Sequence, residues 1–297
     1  MNTSVGIIGV GLMGHGIARN ILKHGFKLTV MEHPGNRPLD ELLSLGAGTV
    51  KTPAAVARES NVVILCVTGS AQVEEVLVAE NGVLAGLKPG AIVVDCSTAI
   101  PGSTQRMAVK VAERGGRFVD APMTRTAQHA HEGRLNLLVG GDAATIEEVR
   151  PVLASFAENI AVVGGVGAGH KMKLLHNYVS IGFMSLLAEA AACAQRGEVS
   201  PEKFVEVLAS GGGNGVALDR LKPYILSRDA SALPFYMSNA LKDINYYREM
   251  AQETNSAREI ADAVAATYLG AVEAGAGQKM LPELISFLAD SGEANDR

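Results

Sequence analysis

Residues 4–25 read SVGIIGVGLMGHGIARNILKHG. The opening SVGIIGV is a short apolar run of strand length. GHGIARNILKHG then carries apolar residues at helical spacing and stops at Gly25, a residue suited to closing a helix. Between the two lies Gly9-x-Gly11-x-x-Gly14. Gly9 permits the tight turn, Gly11 lets backbone approach a pyrophosphate, and Gly14 lets the helix pack close to the strand. Free N–H groups at the helix start, with the dipole behind them, then favour an anion. Alone the pattern is weak; between a strand and a helix it predicts a dinucleotide cradle formed by Gly9, Gly11, Leu12, Met13 and Gly14. The competing reading is a glycine-rich turn that binds nothing.

Working outward, FKLTVME is the next strand, and Glu32 stands at its end. A carboxylate there can bond both ribose hydroxyls of NAD and repel the 2′-phosphate of NADP. NAD is therefore the expected cofactor, while His33 and Arg37 keep NADP open. NVVILCV, AIVVDCS, GRFVDAP, RLNLLVGG and NIAVVGG follow as further strands separated by helical segments. Runs apolar on both faces imply parallel strands covered by helices, so residues 1–165 read as a Rossmann-type, doubly wound α/β domain. After VVGGVGAGH the strand-like runs vanish. Residues 166–297 read as an all-helical domain for substrate and oligomerisation, opening with a long interdomain helix that is apolar nearly all round and so expected to be buried on most sides.

The bulk properties agree with an ordinary soluble protein. The chain has 297 residues, 47% hydrophobic and 19% charged, with a formal net charge of −5. That charge argues against nucleic acid or an anionic membrane as partner. Cys66, Cys96 and Cys193 lie far apart without CxxC spacing, which fits a reducing, cytoplasmic compartment and gives no disulfide or metal framework. The N-terminus lacks a basic region before its apolar run and does not read as a signal peptide. His129 and His131 offer two nitrogens in one loop with no third ligand, so no metal is expected.

GAGHKMKLLHNYVS opens the helical part. Helical spacing puts His170, Lys173, Asn177 and Ser180 on one polar stripe, with His176 beside it. A lysine facing a partly apolar cleft loses solvation, which suits it to proton transfer, and an asparagine one turn on can hold a substrate oxygen. The alternative is a solvated helix face, for which Lys171 is the better candidate.

These motifs, in this order, resemble the β-hydroxyacid dehydrogenase family, which includes 3-hydroxyisobutyrate dehydrogenase and, more distantly, 6-phosphogluconate dehydrogenase. GVGLMGHGIARNILKHG looks like its cofactor motif. DAPMTRTAQHAHEGRLNLLVGG stands where its substrate motif D-x-P-V-S-G-G lies, GAGHKMKLLHN resembles its catalytic G-x-G-x-x-x-K-x-x-N-N, and LKDI resembles its later K-D-L. The resemblance implies Lys173 as general acid/base, Asn177 as substrate-positioning residue, Ser97 and Thr98 bordering the nicotinamide ribose, and Lys242 reaching toward the cofactor. It also implies an active site between two domains and a homodimer or homotetramer. For Lys242 an exposed helix-end lysine is the alternative.

The departures are informative. His176 replaces the first asparagine of the pair, as in 6-phosphogluconate dehydrogenase, yet Ser180 stands where that enzyme has its glutamate, which rules out 6-phosphogluconate. Near the C-terminus the family's V-P-x-P stretch gives way to NSAREI. Most telling, S-G-G becomes Thr124-Arg125-Thr126. With two glycines lost, backbone amides cannot bind an anion in the same conformation, whereas a guanidinium with flanking hydroxyls can. This R-T pair and KLLHNYVSI are similar to the 3-sulfolactaldehyde-reducing branch, so a small sulfonate is the leading substrate class and a carboxylate such as 3-hydroxyisobutyrate or tartronate semialdehyde the second. Arg125 pairing with a local carboxylate, Glu132, is the competing reading. A non-catalytic NAD-binding regulator remains the alternative of another class; imine reduction is opposed by Lys173 and Glu32.

Overall fold

The computed structural model describes residues 3–294. The chain divides after Lys173 into two compact units. The first alternates strand and helix: β1 (Ser4–Ile8), α1 (Gly14–Lys23), β2 (Lys27–Met31), α2 (Asp40–Ser44), β3 (Gly48–Val50), α3 (Pro53–Glu59), β4 (Val62–Leu65), α4 (Ser70–Val78), α5 (Val83–Gly86), β5 (Ile92–Asp95), α6 (Pro101–Glu113), β6 (Arg117–Asp120), β7 (Met123–Thr124), α7 (Ala127–Glu132), β8 (Leu135–Gly140), α8 (Ala143–Ala154) and β9 (Ala157–Gly164). Cap residues mark several starts. Thr52 accepts the Ala55 amide ahead of Pro53 in α3, and Asp142 accepts the Thr145 amide in α8.

The sheet runs β3-β2-β1-β4-β5-β6-β8-β7, with β9 on β8. It is parallel from β3 through β6; β8 then runs antiparallel to β6 and β7, and β9 parallel to β8. Because strand side chains alternate, neighbours in one strand feed opposite cores. Ile7, Ile64 and Val94 join Ile17, Ile21 and Phe156 on one face; Ile8, Leu65 and Val93 join Leu77 and Val111 on the other. Each such aliphatic burial contributes about 1.5–3 kcal/mol. The doubly wound, mostly parallel sheet agrees with the sequence reading. The antiparallel turn at β8 and the two- and three-residue strands β7 and β3 were not foreseen, since strands so short leave no periodic signal. Among the described residues β9 pairs with β8 alone, and its Val162 and Val163 are exposed.

The second unit is helical: most of α9 (Ala168–Arg196), then α10 (Pro201–Ala209), α11 (Val216–Ser227), α12 (Met237–Glu253), α13 (Glu259–Ala271) and α14 (Leu284–Ala294). Its core sets Ile181, Met184, Leu187 and Ala188 of α9 against Leu221, Met237, Ile244 and Tyr268. The expectation that α9 is buried on most sides is corrected, because Val179, Phe183 and Leu186 are 65%, 40% and 66% exposed. An apolar helix packs only on the faces that have neighbours. By length and composition α9 could cross a bilayer, but its positions in packed cores are those of a core helix.

Candidate active site

Parallel register gathers the site. Ile8 pairs with Leu65, Leu65 with Asp95, and Asp95 with Asp120, so these four strand ends lie in one row. The loops that follow them carry Gly9, Cys66, Ser97 and the 123–126 turn. The strand order reverses at β1, which is the switch point where open α/β sheets bind ligands.

The three glycines of the first loop differ in what holds them. Gly9 has φ +96°, and a Cβ there would lie 2.2 Å from the Cys66 carbonyl oxygen. A Cβ on Gly14 would lie 2.0 Å from the Gly9 oxygen. A Cβ on Gly11 would meet nothing within 4 Å, so the chain's own packing does not require glycine there. Among the described residues the Leu12 and Met13 amides meet no backbone acceptor, and Met13 starts α1 without a side-chain cap or an acidic first turn. Leu12 is exposed beside them. Open space, unpaired amides and a helix start fit a bound pyrophosphate. Glu32 is exposed just past β2, its amide held by the Val50 carbonyl. Asn36, which sequence reasoning missed, staples the two loops by accepting from the Val10 amide (3.3 Å) and donating to the Met31 carbonyl (2.8 Å).

Ser97 is buried, and its hydroxyl accepts from the Val67 amide at 3.1 Å while its amide donates to Asp95 at 2.9 Å. Thr98 beside it is partly exposed. Lys173 is half-buried, and its Nζ donates to the Met123 carbonyl at 2.7 Å. The predicted proton-transfer lysine thus touches the first residue of β7, next to Thr124. His170, expected on the same stripe, is wholly buried.

In the second unit the Asn177 amide donates to Asp243 at 2.7 Å, and His176 Nδ1 lies 3.1 Å from the Asn177 oxygen. Lys242 forms an ion pair with Asp243 at 3.1 Å and lies 5.3 Å from the Tyr246 ring centre. Asp243, buried and missed by sequence reasoning, therefore joins Asn177 to Lys242. Its trace is the acid in LKDI.

The 124–126 turn departs from expectation. Arg125 has φ +81°, the left-handed region, so a non-glycine residue takes a glycine-like backbone there. Its guanidinium donates to the Arg134 carbonyl at 2.5 Å and to Glu158. The local carboxylate is Glu158, not Glu132, which pairs instead with Arg134 at 3.4 Å. The hydrogen bond from Arg125 holds Glu158 below the usual carboxylate range. Thr126 shares a 2.8 Å hydrogen bond with His129 Nδ1, and His129 and His131 lie in α7, not in a loop. Burial pushes the Cys66 thiol up to about 12 and the Cys96 thiol well above its ordinary value, which disfavours a reactive thiolate at either. Among the described residues no three metal-ligating side chains cluster.

The family profile for the NAD-binding domain of 6-phosphogluconate dehydrogenase matches residues 4–165, and that for the NAD-binding part of NADP-dependent 3-hydroxyisobutyrate dehydrogenase matches residues 167–288. The chain belongs to the β-hydroxyacid dehydrogenase family. Within that family it is similar to 3-sulfolactaldehyde reductase of Escherichia coli K12, at 30% identity over 93% of this chain and 92% of the relative. It is also similar to 2-hydroxy-3-oxopropionate reductase of the same organism, at 36% identity over 70% of each chain. A 3-hydroxyisobutyrate dehydrogenase from Mycobacterium tuberculosis shares the fold, with a TM-score of 0.86, 22% identity and coverage of 97% and 99% of the two chains.

Proposed function

We propose that the protein is an NAD-dependent oxidoreductase that interconverts a small anionic hydroxy compound and its aldehyde. The observation that carries this reading is the 2.7 Å contact of Lys173 Nζ with the Met123 carbonyl. It brings the residue suited to proton transfer to the turn suited to anion binding. The dinucleotide, held through its pyrophosphate at Gly9–Gly14, would supply or accept the hydride through its nicotinamide ring. Lys173 takes the hydroxyl proton during oxidation and returns it to the carbonyl oxygen during reduction. Asn177, one helical turn on and oriented by Asp243, holds the same oxygen. Glu32, just past β2, supports NAD over NADP.

For the substrate's anion, the Thr-Arg-Thr turn and the likeness to 3-sulfolactaldehyde reductase favour a sulfonate; the likeness to 2-hydroxy-3-oxopropionate reductase favours a carboxylate. With one nitrogen of Arg125 committed to Glu158 and the Arg134 carbonyl, the anion would meet its remaining N–H groups and the Thr124 and Thr126 hydroxyls. The exposed row Val179, Phe183 and Leu186 supports a homodimer or homotetramer, and the dispersed cysteines fit a cytoplasmic setting.

The test is NADH and NADPH oxidation against semialdehydes of matched length ending in sulfonate, carboxylate or phosphate. A sulfonate preference with NADH, lost in Arg125→Gly, supports the full reading. A carboxylate preference unchanged in that variant reassigns the substrate and leaves Arg125 as a loop tie. Lys173→Ala should lower turnover by about 10²–10⁴-fold while NADH still binds. Tight NADH binding with no turnover on any substrate would favour the non-catalytic regulator.

A further inference from the structure

The first unit buries two carboxylates and an imidazole together, and the proton chemistry above uses none of them. Asp95, Asp120 and His170 are all 0% exposed. Asp120, at the end of β6, accepts the Gly167 amide at 2.7 Å and the His170 amide at 2.8 Å, so one carboxylate receives two N–H groups at the start of α9. The fold makes room for it: a Cβ on Gly140 would lie 2.7 Å from one Asp120 oxygen, and a Cβ on Gly169 would lie 2.8 Å from the other.

The His170 ring reaches two further elements. Its Nε2 lies 3.1 Å from the Ser97 carbonyl, which can only accept, so Nε2 carries the proton there. Its Nδ1 lies 2.7 Å from the Thr104 hydroxyl of α6. That hydroxyl also lies 3.2 Å from the Ile100 carbonyl, so it can donate to Nδ1 or accept from it. The second Asp95 oxygen has no hydrogen-bond partner and lies 3.8 Å from Nε2. The ring thus engages both nitrogens on two separate elements while its backbone amide sits on a third, so displacing it would leave buried polar groups unpaired on each.

We propose that His170, seated on Asp120, is a positioning residue: it locks the Ser97 loop to the helical turn that carries Lys173. Lys173 lies one turn beyond His170 on the same face of α9, so a shift of the first turn moves the Nζ. The Ser97 loop follows β5 at the same sheet edge as the glycine turn. His170 therefore fixes the lysine relative to the side of the sheet where the dinucleotide would lie. This rests on the reading of Lys173 as the proton-transfer group.

The experiment uses the full chain with His170→Ala, His170→Gln, Lys173→Ala and the double variant His170→Ala/Lys173→Ala. Glutamine offers a donor and an acceptor at similar reach. His170→Ala should lower kcat by about 10²-fold, the effect of roughly 1 Å of misplacement, with the Kd for NADH changed by less than about threefold. His170→Gln should recover part of the loss. In the Lys173→Ala background, His170→Ala should add nothing beyond about twofold, since a residue acting through another shows no separate effect once that partner is gone. Independently of turnover, the rate at which an amine-selective acylating reagent labels Lys173, read by peptide mass spectrometry without cofactor, should change in His170→Ala and return toward wild type in His170→Gln.

Additive losses in the double variant, an unchanged labelling rate, or a loss explained by lowered Tm alone would each overturn the proposal. Failure of Lys173→Ala to slow turnover would instead overturn the functional reading, and the labelling result would still show whether His170 sets the lysine's position.

Discussion

Two turns at the same edge of the sheet reach a left-handed backbone by opposite means. Gly9 sits at φ +96°, and a side chain there would also strike the Cys66 carbonyl. Arg125 sits at φ +81° with a full side chain, held from outside by the Arg134 carbonyl and Glu158. The first conformation is written in residue type; the second is imposed by tertiary contacts on a residue that does not prefer it. Residue type is thus a good guide to backbone where sterics decide, and a poor one where side-chain ties decide.

Substitutions can break this contrast. Gly9→Ala should have the largest effect, because the strained φ and the collision act together. A loss beyond about 3 kcal/mol, one such strain plus the overlap, should appear as a lowered midpoint in chemical denaturation. Gly11→Val should leave stability within about 0.5 kcal/mol, because it enters open space, yet weaken NADH binding at least about tenfold in a fluorescence titration. Equal destabilisation by the two would show that packing, not ligand approach, explains both glycines.

At the other turn, Arg125→Gly should be more stable than Arg125→Ala by about 1 kcal/mol, since both lose the ion pair but only alanine keeps the left-handed cost. Equal midpoints would mean the turn relaxes once its ties are cut.

The smallest effect concerns Glu158. Its folded-state pKa is lowered by Arg125, so its contribution to stability is present above the unfolded carboxylate value and is lost as pH falls through the lower folded value. The difference in Tm between wild type and Glu158→Gln should stay level from neutral pH down to about 5, and shrink below about 4 and in high salt. A difference that grew on acidification would contradict the pairing.

Much of the site was legible for the reason Gly9 was. Strand, glycine turn and helix follow one another in sequence, and Lys173 and Asn177 are joined by helical spacing. The residues that escaped, Asp95, Asp120, Asp243 and Glu158, take their meaning from partners distant in sequence. Their trace was faint but present: VVDCS and FVDAP each end an apolar strand with an acid, and parallel register sets the two acids side by side. His170 reads in the sequence only as part of a polar stripe, and its complete burial is not visible there, because periodicity reports which residues share a face, not what covers that face. The same limit explains α9, whose composition announced burial but could not count its neighbours.

β9 carries a consequence for handling the protein. Among the described residues no strand pairs with its outer edge, beside exposed Val162 and Val163. Such an edge can template strand addition by another chain. Concentrated stocks and refolding mixtures would then lose material to precipitation in proportion to crowding, and Val162→Lys would raise the recovered yield without touching catalysis.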